Sequence, residues 1–141
     1  MPLILKRMQK IEHIGIAVSN IEEASKTYEA LLNSKVYKTE TVVSEGVTTA
    51  FLKTGPNKIE LLEAAHTNSP IAKFIAKKGE GIHHIAFAVD DIKAEVIRLK
   101  NEGFHIINET PKRGADGKWV VFVHPKDSNG VLVELCQDII E

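Results

Sequence analysis

The chain has 141 residues, 43% of them hydrophobic and 26% charged, the balance of a globular domain and not of a disordered segment. Its 18 Lys and Arg nearly cancel 19 Asp and Glu, so the formal charge of −1 excludes a polyphosphate backbone as the main partner. No apolar run approaches the roughly 18 residues that span a bilayer, and a single cysteine, Cys136, excludes an internal disulfide and fits a reducing, cytoplasmic setting.

In chain order, residues 1–8 form a short N-terminal extension, too short and with its basic residues too late for a secretory signal. Residues 11–18 alternate with β-branched character and predict a strand. Asn20 followed by Glu23 predicts a capped helix start, with Ile21, Ala24, Tyr28, Leu31 and Leu32 on one stripe. Strands are expected at 36–43, 47–54 and 58–64, separated by the turn residues Glu45-Gly46 and Gly55-Pro56-Asn57.

Ser69 as cap, Pro70 at the first helical position and Gly79 beyond the end predict a second, short helix. A strand at 82–89 precedes a helix over about 91–101, which Gly103 stops. Further strands are expected at 104–108, 119–124 and 131–136, with residues 112–118 as a loop too glycine-rich and charged for an element.

This order repeats. His13-Ile-Gly-Ile-Ala-Val-Ser-Asn-Ile and His84-Ile-Ala-Phe-Ala-Val-Asp-Asp-Ile are identical at five of nine positions, 71 residues apart (84 − 13). Each half also closes on an apolar run around one glutamate, Glu60 in Ile-Glu-Leu-Leu and Glu134 in Val-Glu-Leu. The chain therefore reads as one α+β domain over residues 9–137. It would be built from two βαβββ modules, about 9–65 and 80–137, that share a cupped, mostly antiparallel sheet.

His13, Glu60, His84 and Glu134 fall at equivalent places in the two halves. Taken singly, each has an ordinary reading: a histidine at a strand start usually packs or faces water, and a strand glutamate usually faces solvent. Taken together, pseudo-twofold symmetry would bring two imidazoles and two carboxylates to one axis. That donor set suits Co²⁺, Mn²⁺, Ni²⁺, Fe²⁺ or Zn²⁺ with positions left for water or substrate. Strand alternation sends His83 and His84 to opposite faces, and the repeat selects His84 as the ligand. Cys136 is expected to pack as a small apolar side chain. The remaining histidines are structural by default.

The segments His13-Ile-Gly-Ile-Ala-Val, Ser69-Pro-Ile-Ala-Lys-Phe, Gly81-Ile-His-His-Ile-Ala-Phe-Ala-Val-Asp-Asp-Ile and His124-Pro-Lys-Asp-Ser-Asn-Gly-Val-Leu-Val-Glu-Leu resemble the vicinal oxygen chelate superfamily, and within it the methylmalonyl-CoA epimerases. The likeness runs from about Gln9 to Gln137, and the last segment is its most specific part. It implies an isomerase that interconverts the 2R and 2S forms of methylmalonyl-CoA. It further implies one divalent ion per chain, Co²⁺ or Mn²⁺ before Ni²⁺ or Zn²⁺, held by His13, Glu60, His84 and Glu134.

On the same resemblance, Glu134 is the candidate acid–base group. A homodimer is expected, since a duplicated small sheet usually leaves an apolar back face to cover, and charge and hydropathy argue against nucleic-acid or membrane partners. Some bacterial relatives carry a second glutamate three residues after the glycine of the corresponding Gly-Val turn. Here that position is Thr49, which leaves the second face to a water or another carboxylate. Lys112, Arg113 and Lys126 are candidates for the phosphates of CoA. The alternatives are a lactoylglutathione lyase of the glyoxalase type and a non-catalytic module that sequesters small molecules. The His124-Pro-Lys-Asp segment argues against the first, and the full His/Glu/His/Glu set against the second.

Overall fold

Residues 8–140 are described in the computed structural model. The expected extension over 1–8 therefore lies outside the described residues except for Met8. The first module supplies β1 (Lys10–Ala17), α1 (Ile21–Leu32), β2 (Val36–Val42), β3 (Val47–Thr54) and β4 (Asn57–Ala64). α2 (Pro70–Lys78) leads into the second: β5 (Gly81–Ala88), α3 (Ile92–Asn101), β6 (Lys112–Arg113), β7 (Lys118–Val123) and β8 (Val133–Asp138).

The strands form one eight-stranded, strongly curled sheet in the order β2-β3-β4-β1-β5-β8-β7-β6. Exchanging β1 with β5, β4 with β8, β3 with β7 and β2 with β6 reverses this order onto itself, so the duplication governs the topology. β1 pairs with β4, and β5 with β8, in parallel; the other pairings are antiparallel. The α+β reading of a mostly antiparallel, cupped sheet holds. β1 and β5 meet antiparallel at the seam, which sets His13 opposite Ala86 and His84 opposite Gly15.

Alternation in β4 and β8 assigns the two faces. Leu61 packs with Val18, Ala50 and Leu52 under Ile21, Ala24, Tyr28 and Leu32 of α1. Leu135 packs with Val121, Val123 and the Ile92, Val96 and Leu99 stripe of α3. α1 and α3 thus cover one face, and Glu60 and Glu134, one residue before these leucines, are turned to the other. The Asn20 side chain accepts from Glu23 N at 3.0 Å and the Asp91 side chain from Ala94 N at 3.1 Å. Each such cap stabilises its helix by about 1 kcal/mol.

Three local expectations need correction. Leu31 is 71% exposed, because it sits at the edge of the α1 stripe, one position before the inward Leu32. Residues 104–108 form no strand; Ile106 makes an isolated bridge to Val123. The reason is Asn108, whose Oδ1 accepts from Phe122 N (2.9 Å) and whose Nδ2 donates to Val120 O (3.0 Å). A side-chain amide takes the place of the peptide that would have extended the ladder. Conversely, residues 112–118 are not all loop: Lys112–Arg113 pair with Val120 and Trp119, and Ala115–Gly117 form a 3-10 turn.

Candidate metal centre and active site

His13, Glu60, His84 and Glu134 meet on the concave face at the seam, each no more than 6% exposed. The two imidazoles point Nε2 at Nε2, 3.0 Å apart. Glu60 Oε1 lies 3.3 Å from His13 Nε2 and 3.4 Å from His84 Nε2. Glu134 approaches from the other module, 3.6 Å from His13 Nε2 and 3.5 Å from His84 Nε2. His13, His84 and Glu134 each offer a ligand atom within 4.8 Å of the others, which makes them a candidate metal site.

The donor set fits a cation. Burial by itself would lower His13, yet the carboxylates of Glu12, Glu60 and Glu134 push it up to about 10. A pocket that holds a proton so firmly on an imidazole is short of positive charge. The two equivalent glutamates also differ. Burial raises Glu60, but hydrogen bonds and charge from His13 and His84 outweigh it and hold this carboxyl at about 2. Burial raises Glu134 too, and there it prevails over the two histidines, with the charges of Glu60 and Glu45 adding to it. Such a divergence separates a permanently ionised ligand from a group able to exchange a proton.

Close approach at the seam depends on Gly15. A Cβ there would stand 2.2 Å from His84 Cε1, well inside van der Waals contact. Gly15→Ala is therefore expected to displace the His84 ring and to weaken metal binding by about tenfold or more. Chelator competition would measure this, and wild-type affinity in the variant would show that the ring is not held there.

Alternation fails at two positions, and usefully. The β1–β5 register passes from Gly15↔His84 to Ile16↔Ile82, so His83 is the extra residue of a β-bulge. It does not leave for the far face as expected; it lines the same cavity as His84. Its Nδ1 is hydrogen-bonded to His84 Nδ1 at 2.9 Å. Burial, then the neighbouring His84, push its pKa down to about 4, so its ring is neutral. A matching bulge at Glu12 interrupts β1 between Ile11 and His13 and sets Glu12 Oε1 3.4 Å from His13 Nδ1. Both imidazoles of the candidate centre thus have a partner on the ring nitrogen turned away from it.

The cavity over this centre is walled by Val42, Val47, Leu62, Ile71, Val120 and Phe122, with Gly114 and Ala115 at its edge. Glu45, at the end of a 3-10 turn over Val43–Glu45, also lines it. Its Oε1 is buried without a hydrogen bond; Lys112 Nζ stands 3.0 Å away as an ion pair, out of hydrogen-bonding alignment. The sequence reading treated Glu45-Gly46 only as turn chemistry. The detectable signal was a carboxylate directly before a glycine whose left-handed φ of 64° fixes the turn. Thr49 lines the same cavity, fully buried, with its hydroxyl donating to Glu40 O.

The three cations expected at CoA do not converge. Lys112 lies on the cavity side, over the Phe122 ring at 5.8 Å. Arg113 lies over Trp119, which packs on the α3 side of the sheet. Lys126 belongs to a 3-10 turn, Pro125–Asp127, whose proline borders a second cleft with Phe74, Lys78, His83, His84 and Val131.

Residues 12–122 match the Glyoxalase/Bleomycin resistance protein/Dioxygenase superfamily. The ethylmalonyl-CoA/methylmalonyl-CoA epimerase of Cereibacter sphaeroides is 43% identical over 91% of this chain and 97% of its own length. A Streptomyces coelicolor methylmalonyl-CoA epimerase variant in complex with 2-nitronate-propionyl-CoA superposes with a TM-score of 0.90. It is 36% identical, over 94% of this chain and 96% of that one. A solved methylmalonyl-CoA epimerase in complex with methylmalonyl-CoA and NH4+ gives the same identity, coverage and TM-score. With the fold in agreement, this chain belongs to the methylmalonyl-CoA epimerases of the Glyoxalase/Bleomycin resistance protein/Dioxygenase superfamily.

Proposed function

We propose that this protein is an isomerase that interconverts (2R)- and (2S)-methylmalonyl-CoA at a divalent metal held by His13, Glu60, His84 and Glu134. The observation that carries it is the convergence of these four buried side chains at the floor of a cavity with apolar walls, in a chain whose relatives are epimerases of this substrate. Bound there, the ion would act as a Lewis acid on the thioester and carboxylate oxygens, worth several kcal/mol toward ionising the C2–H bond.

The protein's own part is proton transfer, orientation and exclusion of water. Glu134, from the second module, takes the C2 proton of one epimer or returns it. Glu45, from the first module, serves the opposite face, in the role the sequence reading sought at Thr49. One carboxylate accepts a proton as the other gives one, so each turnover inverts C2 with no net proton gained or lost. The two carboxyls swap protonation states, which must be reset before the next turnover in the same direction. Val47, Leu62, Val120 and Phe122 keep bulk water from the planar carbanion. Lys126, beside the second cleft, and Lys112 suit the anionic groups of CoA, whereas Arg113 on the far side of the sheet does not enter this reading.

Co²⁺ or Mn²⁺ is the ion we expect, since two imidazoles and two carboxylates with open positions suit either. A homodimer is the assembly we expect. No helix among the described residues is long and apolar enough to cross a membrane, and the one cysteine is a buried free thiol, consistent with the expected cytoplasmic setting.

The direct test is deuterium entry at C2 of methylmalonyl-CoA in D₂O. Exchange that disappears with chelator and returns with Co²⁺ or Mn²⁺ is expected. Absence of exchange, with turnover of a glutathione hemithioacetal, would replace this reading with the glyoxalase one.

A further inference from the structure

The two halves of the metal centre differ behind the imidazoles. His84 is backed by the ring of His83, whose Nδ1 lies 2.9 Å from its own Nδ1. His13 is backed by a chain of charges that leaves the site and ends in the loop of the other module. Glu12 Oε1, beside His13 Nδ1, accepts from Lys58 Nζ at 2.9 Å. The same Nζ donates to Asp116 Oδ2 at 2.8 Å. Glu12 is 4% exposed, and the side chains of Lys58 and Asp116 are 16% and 17% exposed, so water screens these contacts little.

Asp116 is held from every side by the first module. Its carboxylate also accepts from Lys38 Nζ (3.2 Å) and Tyr37 OH (3.3 Å), and its N–H donates to Glu40 Oε1 (3.0 Å). Its backbone is left-handed, φ 59° and ψ 33°, a region that an L residue keeps only when its surroundings impose it. Immediately before it, Gly114 and Ala115 border the cavity. A molecule under this edge therefore touches a turn whose position is fixed by the ions that also set His13.

We propose that Lys58 and Asp116 are positioning residues that couple the seat of the 115–117 turn over the cavity to the orientation of His13 at the metal. The inference rests on His13 being a ligand. Seating of the turn drives Lys58 against Glu12, and Glu12 keeps the His13 Nε2 lone pair aimed at the centre. By reciprocity, an occupant under the turn tightens the metal, and the metal tightens the occupant, by one common factor.

Co²⁺ affinity measured by chelator competition, without substrate, tests this on the full chain. Lys58→Met and Asp116→Asn are expected to weaken binding about tenfold or more, although neither residue touches the centre. Asparagine tolerates the left-handed backbone, so Asp116→Asn removes charge without unseating the turn by strain. Lys58→Arg should restore most of the affinity. Lys38→Met, which removes a partner of Asp116 off the path to His13, should stay within about twofold of wild type, and Glu12→Gln combined with Asp116→Asn should cost no more than Glu12→Gln alone.

Wild-type affinity in both Lys58→Met and Asp116→Asn would overturn the coupling, as would an equal loss in Lys38→Met. Metal-free melting curves separate any unfolded variant from a folded one with a weakened site. Failure of the wild-type protein to bind Co²⁺ at all would instead remove the ligand reading beneath it.

Discussion

Glu134→Gln is expected to slow epimerisation by at least about a thousandfold, with deuterium entry at C2 falling in step. A positioned acid–base group contributes 10²–10⁴-fold, roughly, and this residue is asked for more than that role. It is also one of two anionic donors at the centre, within 3.6 Å of both imidazoles. Glutamine preserves volume and hydrogen-bonding reach, so packing against Ala86 and Phe122 in the β8 pairings survives. What it removes is the ability to take a proton. Burial lifts the Glu134 carboxyl above its ordinary value, the direction a base for a weak carbon acid requires. Measuring Co²⁺ affinity alongside the rate separates the two roles. A variant that still binds metal but no longer exchanges would place the loss in proton transfer, and wild-type rates would eliminate the role altogether.

The convergence of the four candidate ligands was legible because duplication supplies a control that a single motif lacks. His13 and His84, or Glu60 and Glu134, each look ordinary alone, and only matched placement in two modules makes them a set. The same logic gave the sheet, since a strand–helix–strand order repeated at half the chain length allows a pseudo-symmetric closure. Features that break strand alternation were not legible. Bulges at Glu12 and His83 are backbone events with no residue signature of their own, and they overrode an alternation rule that is otherwise sound. Asn108 ended a ladder that hydrophobicity alone would have extended, because a side-chain amide can imitate a peptide.

Glu45 illustrates the other limit. Turn residues announce backbone geometry, and a carboxylate directly before Gly46 does not by itself tell whether it faces inward. Its burial follows from tertiary packing. A Cβ on Gly46 would sit 3.0 Å from Ser69 Cβ and 3.1 Å from His66 Nε2, so this turn is pressed against the start of α2. The contact links residues from opposite sides of β3 and β4 in sequence and closes the cavity edge on which Glu45 stands.

Glu45→Gln should therefore separate two events that the wild-type enzyme performs together. With Glu134 intact and the four ligands untouched, Co²⁺ affinity is expected to stay within about twofold of wild type. Inversion at C2 should fall by roughly 10²–10⁴-fold, the scale of one lost acid–base group. Glu134 can still remove and return the proton on its own face, so one epimer should take up deuterium from D₂O with retention of configuration while the other does not. Release of Lys112 from its 3.0 Å ion pair leaves a cation at the cavity wall, which favours an anionic substrate there and should not raise KM. Proton NMR at C2 read beside a chiral assay of both epimers gives the two quantities in one experiment. Full inversion at the wild-type rate would take Glu45 out of the mechanism and leave the second face to a water, whereas exchange confined to one epimer would fix the two carboxylates, one from each module, as the two sides of a single proton-transfer site.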